Sequence, residues 1–154
     1  MADRLLPRVG REIEANLSQT GKQIAMLIVE GQELMRRMLR EYLQSAYPDA
    51  AILEASDGAR ALELCRTRFP QLVVMDVGLP DANGIDLTVQ IKEMLPQTAV
   101  IVVSQHSADA YVEHAQAAGA FAYISKDKVY RELLPAVSRA LSSASDGSEP
   151  GDSK

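Results

Sequence analysis

Five short apolar runs punctuate the chain, at residues 25–29, 51–55, 72–76, 99–104 and 121–125, each rich in Val, Ile, Leu or Ala. Runs this brief and this continuous predict strands buried on both faces, as in a covered parallel sheet. Between them the period changes. Met35, Met38, Leu39, Tyr42, Leu43 and Ala46 fall at i, i+3, i+4, i+7, i+8 and i+11, which puts six apolar groups on one helix face. Leu62, Cys65 and Phe69 mark a second helix, begun by the Asp57-Gly58 turn and ended by Pro70. Leu87, Ile91, Met94 and Leu95 mark a third, ended by Pro96. Tyr111, Val112, Ala115 and Ala118 predict a fourth, closed by Gly119 as a C-terminal cap. Tyr130, Leu133, Leu134, Val137 and Leu141 give a fifth, least strained if Pro135, which has no N–H to donate, lies in its first four residues. Strict alternation of strand and helix predicts a three-layer α/β fold, because parallel strands need crossover connections that cover both faces of the sheet.

The flanks differ in character. Residues 1–22 are polar, with Gly10 and Gly21 as breaks and Ile13 and Leu17 at helical spacing, and read as an arm or short helix. From Ser142 the sequence SSASDGSEPGDSK has no large apolar residue and is net acidic, the composition of a flexible acidic tail over 144–154. One domain is expected over 23–143, since 154 residues suit a single core and no repeat or Gly/Pro-rich linker divides them.

Composition narrows the function classes. A net charge of -5 lacks the positive field that drives nucleic-acid binding, so DNA would be reached only through a partner. The single cysteine, Cys65, makes no internal disulfide or structural zinc site, which points to the cytoplasm. No apolar run approaches the roughly 20 residues of a membrane span, and no export leader is apparent.

In an open parallel sheet, ligands gather at the carboxyl ends of the strands. Those ends carry Glu30-Gly31, Asp76, Ser104 and Lys126. Two acids, a hydroxyl and an ammonium at one sheet edge suit a hard cation together with an anion such as phosphate. Other polar residues read more simply. Arg36, Arg37 and Arg40 are a solvated helix face, Cys65 is a packed small group, and His106 and His114 lack ligand-spaced companions.

The segments AMLIVEGQELMRRMLREYL, EASDGARALEL, LVVMDVGLPDANGIDL, VIVVSQH and AGAFAYISKD, in this order and spacing, resemble the receiver domain of bacterial two-component response regulators. The resemblance covers nearly all of residues 23–143. It implies a flavodoxin-like (βα)5 fold with five parallel strands in the order 2-1-3-4-5. It further implies that Asp76 accepts a phosphoryl group from a histidine kinase or phosphotransfer protein. Lys126 and Ser104 would contact that group, Tyr123 would act as the switch aromatic, and magnesium would be held by Glu30, Asp76 and the carbonyl of Gly78. Such a protein is no conventional enzyme, only a phosphoacceptor with self-catalysed transfer and autodephosphorylation. Asp127, where many receivers have proline, resembles receivers joined to LuxR-type helix-turn-helix outputs. No such output follows in this sequence, which leaves two readings, a stand-alone receiver that acts on a downstream protein target or a piece excised from something longer. The family also makes a homodimer through helix four, strand five and helix five an expectation.

Two positions depart from the family pattern. Gly31 stands where the second of two acids after strand one is expected, and predicts weak magnesium binding. Gln105 follows Ser104 where a small residue is usual, and predicts restricted access to Asp76. Gly31 also sustains an alternative, a degenerate receiver that docks partners without phosphorylation. A flavin-binding α/β protein would instead need a Gly- or hydroxyl-rich phosphate loop after strand one, where Glu30-Gly31-Gln32-Glu33 places negative charge.

Overall fold

A computed structural model of the protein describes residues 23–105 and 109–145. The expected arm over 1–22, His106 and the tail beyond Ser145 lie outside the described residues. Five strands, β1 (Ala25–Val29), β2 (Ala51–Ala55), β3 (Leu72–Asp76), β4 (Ala99–Ser104) and β5 (Ala122–Ser125), alternate with α1 (Glu33–Ala46), α2 (Gly58–Arg68), α3 (Gly84–Met94), α4 (Asp109–Ala117) and α5 (Val129–Ser145). All strand pairs are parallel, and the sheet order is β2-β1-β3-β4-β5, as the resemblance implies.

Alternate residues of the central strands feed two cores. Met26, Ile28, Val74 and Ile101 face α1 and α5, where they meet Leu39, Leu43, Leu133 and Val137. Leu27, Val73, Met75 and Val102 face the opposite layer, packing with Cys65 of α2, Ile91 of α3 and Ala115 of α4. Period-2 strands between period-3.6 helices therefore place apolar side chains on both faces, which is why the strand sequences read as unbroken apolar runs. Strand order reverses at β1 and β3, and the crevice outside their carboxyl ends is where such sheets bind ligands.

Local chemistry ends the elements. Asp57 Oδ1 accepts the Arg60 N–H at 2.8 Å and starts α2. Gly119 takes φ 98° after α4, and the Ala120 N–H reaches back to the Ala115 carbonyl at 3.0 Å, the expected glycine cap.

Three expectations are corrected. Phe69 does not join the buried face of α2; it adopts φ 49° at the helix end and is 64% exposed. Pro70 disfavours right-handed helical backbone at the residue before it, so the chain turns there and Ala61, Leu64 and Cys65 form the buried stripe. Pro135 is the seventh residue of α5 rather than one of its first four. The carbonyl it orphans belongs to exposed Arg131, while Leu133, Leu134 and Val137 anchor the helix by burial. Tyr130 stays 62% exposed and sets its ring edge-on against Tyr42, at 5.2 Å between centroids, while the Tyr42 hydroxyl donates to the Tyr130 carbonyl at 2.6 Å.

Candidate functional site

Glu30 follows β1, Asp76 and Ser104 close β3 and β4, and Lys126 follows β5 in a single 3-10 turn (Lys126–Lys128). Register brings these ends level: Met75 lies beside Val29, Asp76 beside Val103, and Ser104 beside Ser125. Glu30, Asp76 and Ser104 are three of the few buried polar residues, the others being Thr88 and Thr98 among the described residues.

Lys126 joins the two acids. Its Nζ lies 3.1 Å from Glu30 Oε1 and 3.3 Å from Asp76 Oδ1. A charge buried without a partner is costly, and one ammonium between two carboxylates offsets that cost for all three groups. Glu30 is further held by its neighbours: Oε2 accepts the Gln32 N–H at 3.0 Å, and its carbonyl accepts the Arg36 guanidinium at 2.9 Å. Burial pushes the Glu30 carboxyl above its ordinary value; the Gln32 N–H draws it down, the Asp76 charge pushes it up, and Lys126 draws it down again. Oε1, although close to Lys126, receives no well-directed hydrogen bond from any described group.

An open cleft of about 490 Å³ lies above this pair, lined by Asp76, Gly78, Ser104, Gln105, Tyr111 and Lys126, among others. The structure thus brings Asp76, Gly78, Ser104 and Lys126 to one opening, with Glu30 1% exposed and in contact with Lys126. Tyr123 is not at the opening; it pairs with Val102 in register and packs half-buried in the core on the α2–α4 side. Gln105 lines the cleft and is exposed.

The loop after β3 forms one wall. It is shaped by the Gly84 N–H donating to the Val77 carbonyl at 2.8 Å and by a bridge between Gly78 and Asn83. Gly84 is required by this close approach, since a Cβ there would lie 2.0 Å from the Asp76 carbonyl oxygen. Gly31 faces the same loop, and a Cβ on it would meet Pro80 Cδ at 3.3 Å and the Ser56 carbonyl oxygen at 3.6 Å.

Among the described residues no group of three or more His, Cys, Asp or Glu gathers at one point. Two carboxylates and a loop carbonyl nevertheless fit a magnesium ion, which keeps several waters and takes one or two carboxylates. The observation that supports the fit is the donor set itself, two buried carboxylates close enough for the Asp76 charge to push up the Glu30 carboxyl, with Lys126 as their present shared partner. Among the described residues no helix is long and apolar enough to cross a membrane.

Sequence reasoning missed three contributors. Gln32 acts through its backbone N–H, Arg36 reaches a backbone carbonyl, and Asp81 binds across the fold to the start of α2. None has a residue-type signature for these roles. The basic residues of α1 divide: Arg37 and Arg40 are exposed, but Arg36 is half-buried and so departs from the solvated face expected of all three. Its guanidinium is held by the Glu30 carbonyl and by Glu54, which lies 3.4 Å from Arg36 and 3.1 Å from Arg40.

Comparison with known proteins agrees with the geometry. The response regulator receiver domain family matches residues 26–138. The transcriptional regulatory protein PdtaR of Mycobacterium tuberculosis is 37% identical over 119 residues, covering 76% of this chain and 56% of that protein. The chemotaxis protein CheY of Halobacterium salinarum is 33% identical over 116 residues, covering 75% of this chain and 95% of that protein. A LuxR-family two-component response regulator from Aurantimonas superposes with a TM-score of 0.72 at 28% identity, over 79% of this chain and 86% of that structure. The chain spans about half the length of several curated relatives it matches. Receiver domains work in two-component signalling, interact with histidine kinases and output partners, and generally bind magnesium at the phosphorylation site. With a family match across most of its length and the sheet order the resemblance implies, the chain belongs to the response regulator receiver domain family.

Proposed function

We propose that Asp76 accepts a phosphoryl group from the phosphohistidine of a histidine kinase or phosphotransfer protein. One Asp76 carboxylate oxygen bonds to phosphorus, the P–N bond to the donor histidine breaks, and that histidine leaves with the electron pair and takes up a proton. The observation that carries the reading is the Lys126 ammonium, 3.3 Å from Asp76 at an open cleft. Phosphoryl transfer needs positioning and charge neutralisation more than covalent assistance, and this arrangement supplies both.

Lys126 pairs with the phosphoryl oxygens, and Ser104, at the same opening, donates its hydroxyl to them. Glu30, Asp76 and the Gly78 carbonyl are the residues to hold magnesium, which when bound neutralises charge on the transferring group. With Gly31 supplying no acid, that binding is weak. Tyr123 acts as the switch aromatic, relaying the change at Ser104 toward α4, β5 and α5. On that side a shallow groove of about 260 Å³ includes Tyr123, Arg131, Pro135 and Arg139, and it serves a downstream protein target or a second copy of the chain. This domain works in the cytoplasm by protein contact, its net negative charge giving it no field of its own for nucleic acid.

Incubation with acetyl phosphate and magnesium, read by intact mass, tests the reading. Wild type gains one phosphoryl mass and Asp76→Asn gains none. A mass gain in wild type that is lost in Asp76→Asn supports phosphotransfer, whereas an unmodified wild type supports the degenerate receiver that Gly31 suggests, a docking module that needs no phosphorylation.

A further inference from the structure

The loop from Val77 to Asn83 carries the Gly78 carbonyl and borders the cleft. Most of its hydrogen bonds close on itself, on β3 or on the start of α3: Gly84 N–H to the Val77 carbonyl, Leu79 N–H to the Val77 carbonyl, and Asn83 Oδ1 from the Ile85 and Asp86 N–H groups. These set the shape of the loop. Asp81 instead carries its hydrogen bonds past β3 and α3 to α2. Its two carboxylate oxygens accept the first two N–H groups of α2, from Gly58 at 2.7 Å and Ala59 at 3.1 Å.

The contact is built from both sides. The first N–H groups of a helix have no partner within it and favour a negative charge. Asp57 serves the Arg60 N–H, leaving those of Gly58 and Ala59 to Asp81. Gly58 makes the approach possible, because a Cβ on it would lie 2.9 Å from Leu87 Cδ1, 3.1 Å from Ala82 Cβ and 3.3 Å from Asp81 Oδ1. Pro80, next to Asp81, is the residue that faces Gly31.

We infer that Asp81 is a positioning residue, which clamps the loop after β3 to the N-terminus of α2 and so holds the Gly78 carbonyl where magnesium and the phosphorylated state need it. The inference rests on the assignment of Asp76 and Gly78 above. The clamp matters more here than at a site with a full set of acids, since with Gly31 in place the Gly78 carbonyl is one of only three protein groups assigned to the ion. Linkage makes the effect reciprocal: whatever orders the loop at the cleft also protects the first turn of α2.

The test uses the full chain and nuclear magnetic resonance. Magnesium chloride, and then magnesium with beryllofluoride, is titrated while the Gly78, Gly58 and Ala59 amides are followed by chemical shift and hydrogen exchange. In wild type the ligands are expected to slow exchange at Gly58 and Ala59. Asp81→Ala is expected to weaken magnesium binding about tenfold, the lower end of the range for outer-shell partners, and to abolish the added protection. Asp81→Asn, which keeps one acceptor oxygen, should fall between the two. Gly58→Ala leaves Asp81 intact but pushes the loop away, and should weaken binding in the same direction. Binding within twofold of wild type in both Asp81→Ala and Gly58→Ala, with ligand-induced protection retained, overturns the clamp alone. A wild type that takes up neither ligand overturns the assignment of Asp76, and the clamp's role with it.

Discussion

At position 31 a glycine stands beside a buried glutamate, and the two residues set the charge of the site. Glu30 and Asp76 share one ammonium, so the pocket carries two negative charges against one positive charge when its acids are ionised. A third acid would add repulsion and one more ligand. Gly31→Asp is therefore expected to tighten magnesium binding by about 10- to 100-fold and to lower the stability of the metal-free protein. Calorimetric titration and urea denaturation of the same pair check both, and equal affinities would remove Gly31 as the cause of weak binding. The contact of a new Cβ with Pro80 Cδ at 3.3 Å asks only a small shift of an exposed loop residue.

Cys65 gives a second test on this scale. Burial pushes its thiol from 9.0 up to about 11. The folded state thus keeps a proton that the unfolded state loses, so stability is unaffected below pH 9 and falls as pH rises from 9 toward 11. At pH 8 the native protein should resist iodoacetamide and react only after unfolding. Rapid native alkylation would show that the thiol is not enclosed. The packed small residue was legible from its place between apolar neighbours. The roles of Gln32 and Asp81 were not, because a backbone donor leaves no trace in residue type and the partners of Asp81 lie 22 and 23 residues away.

Among the elements, strands read best. Four of the five runs match their strands end to end, and the fifth begins one residue later, at Ala122. Burial on both faces makes these signals strong, since each residue must be apolar whichever way it points. Helix ends read less well. Phe69 fits an apolar period yet turns outward, and Pro135 sits deep in α5, because chain reversal in one case and tertiary packing in the other outweigh local preference. The junction of β3 and α3 is closely packed at Gly84. Gly84→Ala, whose Cβ would fall 2.0 Å from a backbone oxygen, is expected to cost about 3 kcal/mol. A lower urea midpoint at unchanged slope would show it, and a wild-type midpoint would contradict the packing described.

For the whole molecule, two cores on opposite faces of one sheet define the unit that must fold. The described helix α5 runs through Ser145, slightly past the expected boundary at 143. We propose that residues 23–145 suffice as the domain, so a fragment of that length should unfold in one transition within about 4 °C of the full chain, less than about 1 kcal/mol for a domain of this size. A broad transition, or one displaced by much more, would assign part of the stability to the flanks.

The sequence by itself determined which segments become strands and helices, their alternation, and the residues that end each strand. Those are local properties: period, turn residues and burial preference act over a few neighbouring positions. The tertiary structure alone decided that Lys126 stands between Glu30 and Asp76, that Tyr123 lies away from the cleft mouth, and that Asp81 ties the loop after β3 to α2. Ion pairs and hydrogen bonds form only within a few ångströms, and separations that small between segments distant along the chain are set by how the layers pack.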